Sequence, residues 1–94
     1  MKIAWATEAW ADYLDWQQRD PKIHQRINDL IDNVRDTPFK GIGKPEPLKH
    51  DLAGWWSRRI TGEHRLVYRV AKRPGADAAG GAVSVSLLRE RLGN

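Results

Sequence analysis

The sequence predicts an α+β fold of order β-α-α-β-β-β, with two antiparallel N-terminal helices packed on one face of a small antiparallel sheet. Three observations point there. Two apolar stripes at helical spacing are divided by Asp20-Pro21. Three stretches in the second half alternate with a period of two. Between these halves runs a proline- and glycine-rich loop in which neither period survives.

KIAWA, residues 2–6, reads as the first strand, with Thr7 as the expected N-cap of a helix and Glu8 favouring its positive end. Trp10, Tyr13, Leu14 and Gln17 then fall at i, i+3, i+4 and i+7, so one face of this helix is apolar and Trp5 and Trp10 are expected in the core. Asp20-Pro21 supplies an N-cap followed by proline at the first helical position, and Ile23, Ile27, Leu30, Ile31 and Val34 trace the second stripe. WWSRRI (55–60) and EHRLVYRV (63–70) read as strands joined by a tight Thr61-Gly62 turn, with Leu66, Tyr68 and Val70 on one face and Arg65, Val67 and Arg69 on the other. Residues 72–81, KRPGADAAGG, read as a flexible connection, and AVSVSLL (82–88) as the last strand.

The chain has 94 residues, enough for one domain spanning 1–94 with a single modest core. It contains no cysteine, which excludes disulfides and thiolate metal sites and points to a reducing cytoplasm; no signal peptide or long apolar run is expected. The net charge of +4 is unevenly spread. Residues 1–39 hold five Lys and Arg against seven Asp and Glu, whereas residues 40–73 hold nine against three, so the second half is either a basic surface that attracts a polyanion such as a nucleic acid or a solvated basic surface.

The loop GKPEPLKH, residues 43–50, places Glu46 between Pro45 and Pro47 with Lys44, Lys49 and His50 around it. The prolines restrict the backbone on both sides, which reduces the entropy a catalytic carboxylate would lose on being positioned. A two-residue turn at Thr61-Gly62 would set Arg58 directly across from Arg65, and two facing cations are unfavourable unless an anion lies between them. A guanidinium pair beside a carboxylate suits phosphoryl chemistry. Of the adjacent Trp55 and Trp56, alternation turns one outward, and Trp56 is taken as the candidate for stacking on a base. His24, His50 and His64 lack the spacing of a metal motif, so neither a metal nor any other cofactor is expected.

These residues resemble the YoeB toxins of the RelE/ParE superfamily of toxin-antitoxin systems. The match is carried by TPF at 37–39, GKPEPLKH at 43–50, LAGWWSRRI at 52–60 and EHRLVYRV at 63–70. The resemblance implies a ribosome-dependent mRNA interferase in which a ribose 2′-hydroxyl attacks the adjacent phosphodiester without a metal. It implies Glu46 as general base and Arg65 as the group stabilising the pentacovalent phosphate. Arg59 and Lys49 would hold the RNA, and Lys44, His50, Arg58 and Trp56 complete the candidate RNA-binding set. As partners it implies a YefM-like antitoxin and the 70S ribosome with mRNA in its A site, with a homodimer as an option. Promoter DNA would be reached only through the antitoxin complex, and no membrane is involved.

Where the family ends in a motif of the form R-Y-H-Y, this chain ends LLRERLGN, with Arg89 at the arginine and Glu90 as the remaining group with proton-donor chemistry. Loss of a general acid costs ~10² to 10⁴ in rate. A module that binds ribosome or antitoxin without cutting, and a ParE-like gyrase inhibitor, are the alternative expectations.

Overall fold

The computed structural model describes residues 2–71 and 81–89. In chain order these form β1 (Lys2–Trp5), α1 (Thr7–Arg19), α2 (Pro21–Asp36), β2 (Glu46–Pro47), a 3-10 turn at His50–Leu52, β3 (Trp56–Arg59), β4 (His64–Ala71) and β5 (Ala82–Arg89). The expected connection at 72–81 lies outside the described residues except for Gly81. No described helix is long and apolar enough to cross a membrane.

Asp20 ends α1 and begins α2: its side chain accepts a hydrogen bond from Lys22 N at 3.1 Å, and Pro21 opens the second helix as the sequence indicates. The α1 start differs by one residue, because Ala6 occupies the cap position and Thr7 is already helical, with no side-chain cap. Of the five apolar stripe residues of α2, Ile27, Leu30, Ile31 and Val34 are buried against Ile60, Leu66, Tyr68, Val83 and Val85 of the sheet side, and Ile23 packs partly buried at the edge. Each such side chain contributes roughly 1.5–3 kcal/mol through removal from water. The α1 stripe is less covered than its spacing suggests. Only Ala9 is buried, while Trp10 and Leu14 remain 45% and 43% exposed. Trp10 lies over Tyr13 at 5.4 Å rather than in the core, and Tyr13 ties α1 to α2 by donating to Asn28 Oδ1 at 2.6 Å.

The sheet has five strands in the order β1-β5-β4-β3-β2. Two features depart from the sequence-based expectation. β1 runs parallel to β5, so the sheet is mixed rather than wholly antiparallel. The loop also contributes a strand of its own, since Glu46 and Pro47 pair with Ser57 and Trp56. Both follow from long-range pairing that leaves no local period.

The hairpin register departs as well. Ile60 N donates to His64 O at 2.9 Å, and the turn holds three residues, Thr61 to Glu63, with Thr61 Oγ1 accepting from Glu63 N and His64 N. Arg58 therefore pairs with Leu66, and Arg59 with Arg65. The physical reason is parity: only a turn with an odd number of residues puts Ile60 on the same face as Leu66 and Tyr68, and all three are core. One face of the sheet packs on the helices. The opposite face carries Glu46, Ser57, Arg59, Arg65, Val67 and Arg69.

Candidate active site

Arg58 anchors the loop that delivers the carboxylate. Its side chain is fully buried, and each of its five N–H donors has an acceptor. Nε donates to Tyr68 Oη at 3.1 Å, Nη1 to Asn33 Oδ1 and to Ile42 O at 3.1 Å, and Nη2 to Thr37 O at 2.6 Å and Lys40 O at 3.0 Å. Tyr68 in turn donates to Pro38 O at 2.5 Å. Burial pushes the Tyr68 hydroxyl above its ordinary pKa, and the Arg58 guanidinium partly opposes that shift. Four carbonyls of residues 37–42 are thus held by two side chains from the sheet. All acceptors of Arg58 are neutral, and the carbonyl end of α2 faces its charge favourably.

The chain then crosses α2 at Gly43. There φ is +80°, and a Cβ would stand 2.6 Å from Leu30 Cδ2 and 3.1 Å from Arg58 Cβ, so no side chain fits. Gly43 O accepts from Arg59 N at 2.7 Å, which fixes the loop to β3 three residues before Glu46. Lys44 and His50 both have positive φ, 53° and 57°. Left-handed backbone at non-glycine residues costs ~1–3 kcal/mol each and tends to gather at functional sites. Here the two strained positions flank β2, the strand that presents Glu46.

Glu46 emerges on the helix-free face. Its Oε1 lies 3.9 Å from Arg65 Nη1, with the Glu46 side chain 61% exposed and the Arg65 side chain 15% exposed. Arg59 pairs directly with Arg65 across the ladder and is exposed. The Ile60–His64 hydrogen bond makes this a non-hydrogen-bonded position, where facing side chains come closest. Beside Glu46 in the ladder, Ser57 is buried, and its hydroxyl has no hydrogen-bond partner among the described residues. A carboxylate beside one guanidinium, with a second arginine opposite that one in the ladder, is an arrangement that can bind a phosphate and move a proton at its edge.

Lys49 and His50, in the 3-10 turn region that follows β2, are exposed, as is Lys44 before it. These three line the same loop as Glu46. Two sequence-derived candidates do not join them. Arg58 faces the core rather than RNA, because the register sets it opposite Leu66 and every donor is occupied. Trp56 pairs with Tyr68 on the helix-covered face and contacts Phe39, ring centroids 4.9 Å apart, so it braces the loop from behind. The tryptophan on the Glu46 face is Trp55, whose carbonyl accepts from Leu48 N at 2.8 Å and continues the β2–β3 ladder by one position. Sequence reasoning could have found the correct arginine from the parity of Ile60, Leu66 and Tyr68. Glu90 lies outside the described residues.

His24 rests against Tyr13 at 4.6 Å, and His64 shares a hydrogen bond with Thr61 Oγ1 at 3.0 Å beneath the edge of Trp16. Neither belongs to the Glu46 face.

Residues 5–76 match the family described as YoeB-like toxin of bacterial type II toxin-antitoxin system. The toxin YoeB of Escherichia coli strain K12 is 63% identical over 70 residues, covering 74% of this chain and 83% of that protein. Among solved structures, a YoeB/ParE toxin from Agrobacterium tumefaciens superposes with a TM-score of 0.85 at 49% identity, over 97% of this chain and 99% of the other. The Staphylococcus aureus YoeB, solved in complex with YefM and as a dimer, superposes with a TM-score of 0.79 at 35% identity, over 97% of both chains.

Proposed function

The chain belongs to the YoeB-like toxins of bacterial type II toxin-antitoxin systems, and from that premise we propose that it is an endoribonuclease that cuts messenger RNA in the ribosomal A site without a metal ion. The observation that supports this most directly is the Glu46–Arg65 pair at 3.9 Å on a face where Arg59 opposes Arg65. Glu46 sits beside Arg65 as a proton acceptor, and a phosphodiester is an anion that the two opposed arginines can grip together.

In the proposed reaction Glu46 takes the proton of a ribose 2′-hydroxyl. The 2′ oxygen bonds to phosphorus as the bond to the 5′ oxygen breaks, leaving a 2′,3′-cyclic phosphate and a 5′-hydroxyl. Arg65 stabilises the negative charge that builds on the phosphate oxygens, while Arg59, Lys49, Lys44 and His50 hold the backbone. The departing 5′ oxygen takes a proton, a role we assign to Glu90. The partners are a YefM-like antitoxin, the kind of complex in which the S. aureus relative was solved, and a second copy of the chain, as in that relative's dimer. The whole chain, 1–94, is read as one toxin domain acting in the cytoplasm.

Primer extension on a defined message in programmed ribosomes tests the reading. A new 3′ end in the A-site codon that disappears with Glu46→Gln supports it. A message that stays intact while the protein binds ribosomes leaves a non-cutting binder, and inhibited supercoiling in its place would indicate a gyrase inhibitor.

A further inference from the structure

We propose that the open face of the sheet carries a second nucleotide subsite, built by Trp55 and Arg69, which holds the RNA residue flanking the bond that Glu46 attacks. The proposal deepens the reading of Glu46 and Arg65 as the reacting pair and rests on it.

The register brings these two residues together. The β3–β4 ladder ends at the Trp56–Tyr68 pair and Trp55 immediately precedes it, while β4 continues to Ala71, so carrying the register one position further sets Trp55 opposite Arg69. Counting from the Ile60–His64 hydrogen bond, this is again a non-hydrogen-bonded position, where opposed side chains lie closest. The Leu48–Trp55 hydrogen bond holds Trp55 in the ladder from its other side. Three rows of this face lie around Glu46. Arg59, Arg65 and Leu88 form one; Glu46, Ser57, Val67 and Ser86 form the next, with Ser57 and Val67 buried; Arg69, Ser84 and Ala4, with Trp55 at the continued position, form the third.

Successive rows on one face stand ~6.7 Å apart, twice the strand rise. Glu46 thus has a cationic row on each side, and it is the only carboxylate among the described strand residues. Arg69 is exposed, and among the described residues it makes no hydrogen bond or ion pair, unlike the exposed Arg19 and Arg89, which pair with Asp15 and Glu63. Trp55 is half-buried, so part of its indole is anchored and part is open. The buried hydroxyl of Ser57, two residues along the strand, is a further polar group on this face that has no partner. An aromatic face beside a guanidinium suits a splayed nucleotide: the base stacks on the indole regardless of its identity, and the phosphate meets the cation. With Arg65 on the phosphate being cut, Arg69 falls at a neighbouring phosphate on the other side of Glu46.

The probe is a seven-nucleotide single-stranded RNA with a 2′-deoxy residue at the cleavage position, titrated with the full chain from 50 to 200 mM KCl. Arg69→Gln is expected to weaken binding about tenfold and to lower the slope of log Kd against log salt by about 0.7, one single-strand phosphate contact. Trp55→Ala should weaken binding about tenfold with the slope unchanged, and Trp55→Phe should recover most of it. Arg35→Gln, on the exposed side of α2, should change neither quantity. Unchanged affinity and slope in Arg69→Gln, which alters an exposed side chain and leaves the fold intact, would overturn the proposal, as would an equal slope change in Arg35→Gln. Ribosomal cleavage measured in parallel separates the two readings. Wild-type protein that binds with the expected Arg69 dependence but never cuts keeps the subsite and removes the nuclease. Cutting by wild type and Arg69→Gln at equal rate and equal affinity does the reverse.

Discussion

The two faces of the sheet use the same residue type in opposite ways. On the helix-covered face, Arg58 is sealed from solvent and spends all five donors on loop carbonyls, Asn33 and Tyr68. One residue later, on the open face, Arg59 stands exposed across from Arg65, with Glu46 beside them. Satisfaction of every donor makes the first arginine a structural clasp, while its place opposite Arg65, beside Glu46, makes the second a candidate for the proposed site. The faces also depend on each other. Residues 37–43 are held by Arg58, Tyr68 and the Gly43–Arg59 hydrogen bond, and that loop is what carries Glu46 to the opposite face.

The comparison can be broken most sharply at Glu46. Glu46→Gln keeps the shape of the side chain and removes the base, so cleavage in programmed ribosomes should fall by ~10² to 10⁴. Thermal stability should stay within about 0.5 kcal/mol, because the side chain is largely solvated. A large loss of stability would mean that the open face is structural after all.

Next come the adjacent arginines. Arg58→Met removes a fully buried side chain and its five hydrogen bonds, one buried and four part-buried, and should cost about 3–5 kcal/mol in urea unfolding, whereas Arg59→Met should leave stability within about 0.5 kcal/mol and weaken RNA binding. Equal destabilisation by the two substitutions would erase the distinction between the faces.

A smaller effect belongs to Tyr68. Its folded-state pKa is raised by burial, so its contribution to stability is complete below the unfolded value of about 10 and is lost as pH rises through the higher folded value. Unfolding curves taken from pH 8 upward should show this alkaline loss in the wild type and a weaker one in Tyr68→Phe. The smallest change expected is at Asp20→Ala, on the helix side, where removal of the cap on α2 should cost about 1 kcal/mol with cleavage unaltered.

Much of this molecule was readable from local chemistry. Asp20-Pro21 marks the helix boundary because a cap and a fixed φ act within one turn, and the split of β4 into Leu66 and Tyr68 against Arg65 and Val67 follows from period two alone. The constraint on Glu46 by Pro45 and Pro47 is likewise written into the tripeptide. What the sequence left open were the pairings. β2 is two residues long, and β1 meets β5 in parallel across most of the chain, so neither produces a pattern within a window of a few residues. The identity of the arginine that faces Arg65 turned on whether the hairpin loop held two residues or three. That choice was made by the need to bury Ile60, Leu66 and Tyr68 together against α2. Trp56 was misplaced for the same reason: one shift of parity moves a side chain from the solvent face to the core. Local backbone preference thus determined the two helices, the longer strands and which carboxylate is bracketed by prolines. Only tertiary packing, which rewards burial of a whole face at once, decided which cations stand beside it.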